Sequence, residues 1–110
     1  MNTPMLLMRL LLSLSCLLIA GLSLPMILGK VAPNSTYGFR TPLTLSRPDI
    51  WYAANTFSGW TLLIAAVISV VALWLLPARS FERPWLALAI FVVPLLISLA
   101  VSLIYLHRFR

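Results

Sequence analysis

Hydrophobic positions along this chain gather into three long runs, at residues 5–28, 53–76 and 85–106, separated by two polar stretches. Each run is long enough to cross a bilayer, for which a helix needs about 20 apolar residues. Three transmembrane helices are therefore predicted. The first run shares some features with a signal peptide, with Arg9 near its start and Ala20, Gly21 and Ser23 near its end. Its hydrophobicity nevertheless continues through Ile27 and Leu28, which favours a retained helix. A lipid-attachment reading of Cys16 is weaker, because Ser13 stands three positions upstream where an apolar residue is expected.

Composition agrees with this pattern. Of the 110 residues 62% are hydrophobic and 9% charged, more apolar surface than a soluble core of this size can hide. The expected architecture is an all-α integral membrane protein. Residues 1–110 form a single membrane domain of three transmembrane helices in a compact bundle. Small residues mark the packing faces: Ala54, Ser58, Thr61, Ala65, Ser69 and Ala72 form a seam on the second helix, Ser13, Cys16, Ala20 and Ser23 one on the first, and Ser98 and Ser102 a shorter one on the third. Membrane helices associate through such seams, and a homo-oligomer is the alternative use for them. Cys16 is read as a packing residue. Pro94 lies in mid-span and should free the carbonyl of Ile90, giving a kink, while Pro25 should distort the end of the first span. Arg9 is expected to snorkel toward the head groups.

The polar stretch before the second run holds most of the candidate chemistry. Gly38 gives backbone freedom between Tyr37 and Phe39, and Pro42 biases Thr41 toward an extended conformation. Ser46, with Asp49 three residues later, resembles a capping box, so a helix is expected to start near Arg47. If that helix runs on to Leu76, its first turns form an interfacial extension outside the hydrocarbon. Trp51, Asn55 and Gly59 recur every four residues and share a face. They suit either a recognition surface or ordinary architecture, with Trp51 and Tyr52 at the interface, Asn55 serving loop carbonyls and Gly59 admitting a neighbouring helix, as Ala54 and Ser58 would beside it. Arg40 has a five-donor fork suited to a peptide carboxylate, a lipid phosphate or helix-end carbonyls. Asp49 could pair with Arg40 or Arg47, or stabilise its own first helical turn.

The combination Pro33-Asn34, Tyr37-Gly38-Phe39-Arg40-Thr41-Pro42, Thr44-Leu45-Ser46, Trp51, Asn55 and Gly59, spread over residues 33–59, resembles the signature of the SdpI family of bacterial membrane proteins. That family is named for an immunity protein against a secreted peptide toxin, so the resemblance implies toxin resistance or toxin sensing. It marks Asn34, Tyr37, Arg40, Thr41, Thr44, Trp51 and Asn55 as candidates for partner or lipid binding. Asn55 occupies a position that the family usually fills with histidine, which removes any role for a titrating imidazole there.

Charge adds topology and excludes several classes. At a net +6, the cations flank the apolar runs and suit anionic head groups, and no basic stripe on a soluble domain points to nucleic acid. Lys30, Arg40, Arg47, Arg108 and Arg110 fall on one side and Arg9, Arg79 and Arg83 on the other, so the positive-inside rule favours N-out and C-in in a bacterial inner membrane. With Asp49 and Glu82 the only acids and His107 the only histidine, neither enzyme chemistry, a metal site nor a cofactor is expected. The leading expectation is immunity to a membrane-active peptide toxin, by binding it or shielding its target. The alternatives are a membrane adaptor that recruits a cytoplasmic regulator through its loop and a structural subunit that binds lipid, anionic lipid included.

Overall fold

The computed structural model describes residues 3–110, and every regular element among them is helical. In chain order these are α1 (Thr3–Ile27), α2 (Pro42–Ser46), α3 (Pro48–Leu75) and α4 (Pro84–Leu106), with 3-10 turns at Ala78–Glu82 and His107–Phe109. Three helices, Thr3–Ile27, Pro48–Leu75 and Pro84–Phe109, are long and apolar enough to cross a membrane. The protein is a multi-pass membrane protein. Exposed Leu11, Leu14, Leu18, Ile68, Leu96 and Ile104 cover the outside of the bundle, as a hydrocarbon solvent allows.

α3 lies between α1 and α4, which touch each other much less than either touches it. The expected small-residue faces explain the arrangement. Ser13, Cys16 and Ser23 on α1, Ala54, Ser58, Ala65 and Ser69 on α3, and Ser98 and Ser102 on α4 are all buried, whereas Ala20, Thr61 and Ala72 are half-buried. Gly59 sets the closest approach of α1 to α3. A Cβ there would lie 3.0 Å from the Ser23 carbonyl oxygen and 2.8 Å from Ile27 Cγ1.

Helix ends follow local chemistry. α1 closes with a Schellman motif in which Gly29 adopts φ +69°, Lys30 N donates to Pro25 O at 2.9 Å and Gly29 N donates to Met26 O at 3.3 Å. Pro25 therefore supplies the carbonyl that ends the helix. The expected capping box at Ser46 does not form, because Ser46 lies within α2 and donates its hydroxyl to Leu43 O, while Arg47 takes the N-cap of α3. The reciprocal box lies at Thr41 and Thr44 instead, where Thr41 Oγ1 accepts from Thr44 N at 3.1 Å and Thr44 Oγ1 accepts from Thr41 N at 2.8 Å. α3 is continuous from Pro48, and its 28 residues span about 42 Å, so its first turns extend beyond a hydrocarbon layer of about 30 Å.

Pro94 sits inside α4, where it lacks the amide that would serve Ile90 O. The buried Ser69 hydroxyl on α3 faces that gap, within donating distance of Phe91 O at 3.2 Å and Ile90 O at 3.5 Å. The proline is thus matched to a partner in the neighbouring helix. Below it, Ser98 donates to Thr61 Oγ1 at 2.8 Å, and Ser102 lies 3.1 Å from the same oxygen. Thr61 in turn donates to Ser58 O at 2.9 Å, which completes a hydroxyl cluster between α3 and α4.

Candidate functional site

The end of the bundle where α1 stops, α3 starts and α4 stops carries residues 29–47 as a cap. Its first part is organised by Asn34. The Asn34 side-chain oxygen accepts from Thr36 N at 2.8 Å and Tyr37 N at 2.6 Å, while its amide donates to Ala32 O at 2.8 Å and Tyr37 O at 3.0 Å. A short Asx-type turn results, since an asparagine amide can imitate the backbone pattern of a turn. Tyr37 then reaches down to donate its hydroxyl to Leu22 O on α1. Burial pushes that phenol above its ordinary pKa.

Two residues of α3 hold the cap from below. Trp51 is fully buried and its indole N–H donates to Val31 O at 2.7 Å. Asn55 is buried as well, accepting from Phe39 N at 2.7 Å and donating to Trp51 O at 2.9 Å and Phe39 O at 3.4 Å. All the polar groups of this pair are thus used within the chain. Gly38 is required twice over, because its φ is +110° and a Cβ would lie 2.7 Å from Asn55 Oδ1. Phe39, Leu43 and Phe109 pack against buried Ile50, Ala54 and Leu106, which ties the cap to the end of α4.

Of the residues singled out from sequence, Asn34, Tyr37, Thr41, Thr44, Trp51 and Asn55 are brought into one hydrogen-bonded cap. Their polar atoms are spent mostly on backbone. Arg40 differs: it is exposed, and one arm of its guanidinium donates to Ser35 O. Asp49 pairs with Arg47 rather than Arg40, in a fork across two exposed side chains. That hydrogen bond holds the Arg47 guanidinium above its ordinary pKa. Lys30, Arg47, Arg108 and Arg110 are exposed at the same end. Arg108 lies 4.8 Å from the centre of the Tyr105 ring, which itself stacks on Phe57 at 4.0 Å.

Beneath the cap an open crevice of about 410 Å³ separates α1 from α4. Leu22 and Met26 of α1, Leu62 of α3 and Leu95 and Leu99 of α4 make its walls, and the segment from Thr36 to Phe39 roofs it. It lies within the size range of small-ligand clefts, about 300–1,000 Å³.

The opposite end holds a residue whose role sequence reasoning missed. Arg9 does not stand free among head groups. It donates to Leu76 O at 2.8 Å and lies 5.1 Å from the Trp74 ring centre and 4.7 Å from that of Phe81, with its Nε buried and unpartnered. The only available signal was a lone cation in the first turns of an apolar run, which looks the same whether it snorkels or staples. Trp74 adds a second tie, donating its indole N–H to Ser13 Oγ at 2.9 Å. Among the described residues no three His, Cys, Asp or Glu side chains come together.

No curated protein and no solved structure matches this chain. A family model does match, and it covers residues 30–106, which takes in the cap from Lys30 onward, α3, the short turn and all of α4. The match includes the segment in which Asn34, Gly38, Arg40, Trp51 and Asn55 build the cap, and with more than half of the sequence covered, the chain belongs to the SdpI/YfhL protein family.

Proposed function

We propose that this protein confers immunity to a membrane-active peptide toxin, acting without catalysis by binding the peptide or shielding its target. Family membership supports the immunity reading. The geometric observation that carries it furthest is the division of labour in the cap. Asn34, Trp51 and Asn55 spend their polar groups on holding the loop in one shape, while Arg40 is left exposed on its rim. A surface already ordered before contact loses less conformational entropy when it binds. In this reading Arg40 and the exposed face of the loop meet the partner, and Trp51 and Asn55 position them.

The orientation that fits is loop-in. Five exposed cations at the cap end face three at the other, one of which, Arg9, is engaged within the bundle. The positive-inside rule then favours a cap on the cytoplasmic side of a bacterial inner membrane. An ordered basic loop there would also suit an adaptor for a cytoplasmic regulator.

The test is survival of toxin-sensitive bacteria exposed to an SdpI-type peptide toxin, with and without the protein at a verified membrane level. Protection is expected. If the producing cells die as fast as the controls, immunity to that toxin is wrong, and recovery of a soluble partner on the immobilised protein would then favour the adaptor.

A further inference from the structure

The crevice under the cap is built for a ligand that is apolar along most of its length and anionic at one end. Its margins are open to the surroundings of the bundle, since Leu22 is 46% and Leu99 49% exposed while both line it. Those surroundings are hydrocarbon, as the length and apolarity of the helices require. Two of the three serine hydroxyls in its walls are already engaged, and the third, on Ser58, belongs to a buried residue. Ser23 donates to Ala20 O at 2.6 Å and Ser98 to Thr61 Oγ1, so neither hydrogen points at an occupant. A peptide backbone in the same place would bring carbonyls and amides with few partners to meet them, at a cost of several kcal/mol each in an apolar medium. An alkyl chain has no such groups.

Charge distinguishes the rim from the walls. Arg40 follows directly on Phe39, and its tie to Ser35 O holds the guanidinium beside the segment from Thr36 to Phe39 that roofs the crevice. The ion pair present among the described residues, Arg47 with Asp49, leaves Arg40 without an acid. Its remaining donors form the planar fork that matches two phosphate oxygens. Lys30, Arg108 and Arg110 are exposed at the same end of the bundle. We propose that the crevice between α1 and α4 binds one acyl chain of an anionic glycerophospholipid, whose phosphate sits on Arg40. The proposal does not rest on the toxin reading, although both use Arg40.

The experiment is native mass spectrometry of the purified protein in neutral detergent, titrated with dioleoyl phosphatidylglycerol or dioleoyl phosphatidylcholine. The parent should retain phosphatidylglycerol about tenfold more tightly than phosphatidylcholine, because the choline cation tethered to the same phosphate offsets its charge and weakens the charge-assisted contact with Arg40. Arg40→Gln should remove most of that preference. Leu99→Trp, which fills the mouth of the crevice from its exposed side, should weaken both lipids. Arg108→Gln should leave the preference intact, and glycerol phosphate alone, the head group without its chains, should not displace the lipid. Equal retention of the two lipids overturns the proposal. So does an equal loss of preference in Arg40→Gln and Arg108→Gln, which would mean diffuse surface charge, or an unchanged affinity in Leu99→Trp, which would place the chain elsewhere. Displacement by glycerol phosphate would reduce the site to a phosphate contact and overturn the acyl-chain part.

Discussion

The two ends of the bundle each carry a notable arginine, and they use it in opposite ways. At the α1 start Arg9 turns inward, with its guanidinium on the Leu76 carbonyl and against the rings of Trp74 and Phe81. At the α3 start Arg40 stays outside, and neutral side chains do the internal bonding. A guanidinium that serves a helix-end carbonyl, as Arg9 does for α3, is stabilised there by the negative end of the helix dipole. One carried on a loop that Asn55 and Trp51 hold from beneath remains available to something else. The difference teaches that an arginine near a membrane interface is read by its partners, since position alone gives both residues the same description.

Packing is the first place to break this comparison. Gly59→Leu should separate α1 from α3, because the first added carbon already meets Ser23 O and the Ile27 backbone nitrogen at 3.0 Å, and backbone atoms cannot move aside like a side-chain tip. A loss of about 3 kcal/mol is expected, seen as the largest fall in Tm in detergent, with both ends affected. A smaller and local effect is expected from Asn55→Ala, which orphans the Phe39 amide. It should cost about 2 kcal/mol and speed hydrogen exchange at Phe39 while leaving the Arg9 end unchanged. Uniform exchange throughout the bundle would show that the cap is not a separate unit of stability. The smallest effect belongs to Asp49→Ala, whose fork with Arg47 joins two largely exposed side chains. Its Tm should match the parent within error, since exposed ion pairs contribute little.

Much of the architecture was legible in the residue pattern. Long apolar runs place the three helices, and the start of α3 near Arg47 follows from Pro48 at a position that needs no amide partner. The shared face of Trp51, Asn55 and Gly59 also follows from spacing. The cap was harder to read, because its acceptors are the backbone carbonyls of Val31, Leu22 and Ala32, which no side chain announces. Ser46 with Asp49 suggests a capping box, but the reciprocal box forms at Thr41 and Thr44, where it opens the short α2 that the apolar pattern does not announce. Pro94 was visible as a source of a free carbonyl, but its partner Ser69 lies on another helix.

The most direct test of the account is a paired comparison of Arg9→Gln and Arg40→Gln for thermal stability in detergent and for survival under the peptide toxin, with survival normalised to folded protein in the membrane. The account predicts that Arg9→Gln lowers Tm and protects as well per folded molecule as the parent, whereas Arg40→Gln keeps its Tm and loses protection. Lost protection in Arg9→Gln at normal membrane levels, with Arg40→Gln still protective, would contradict it and move the functional surface to the opposite end of the bundle.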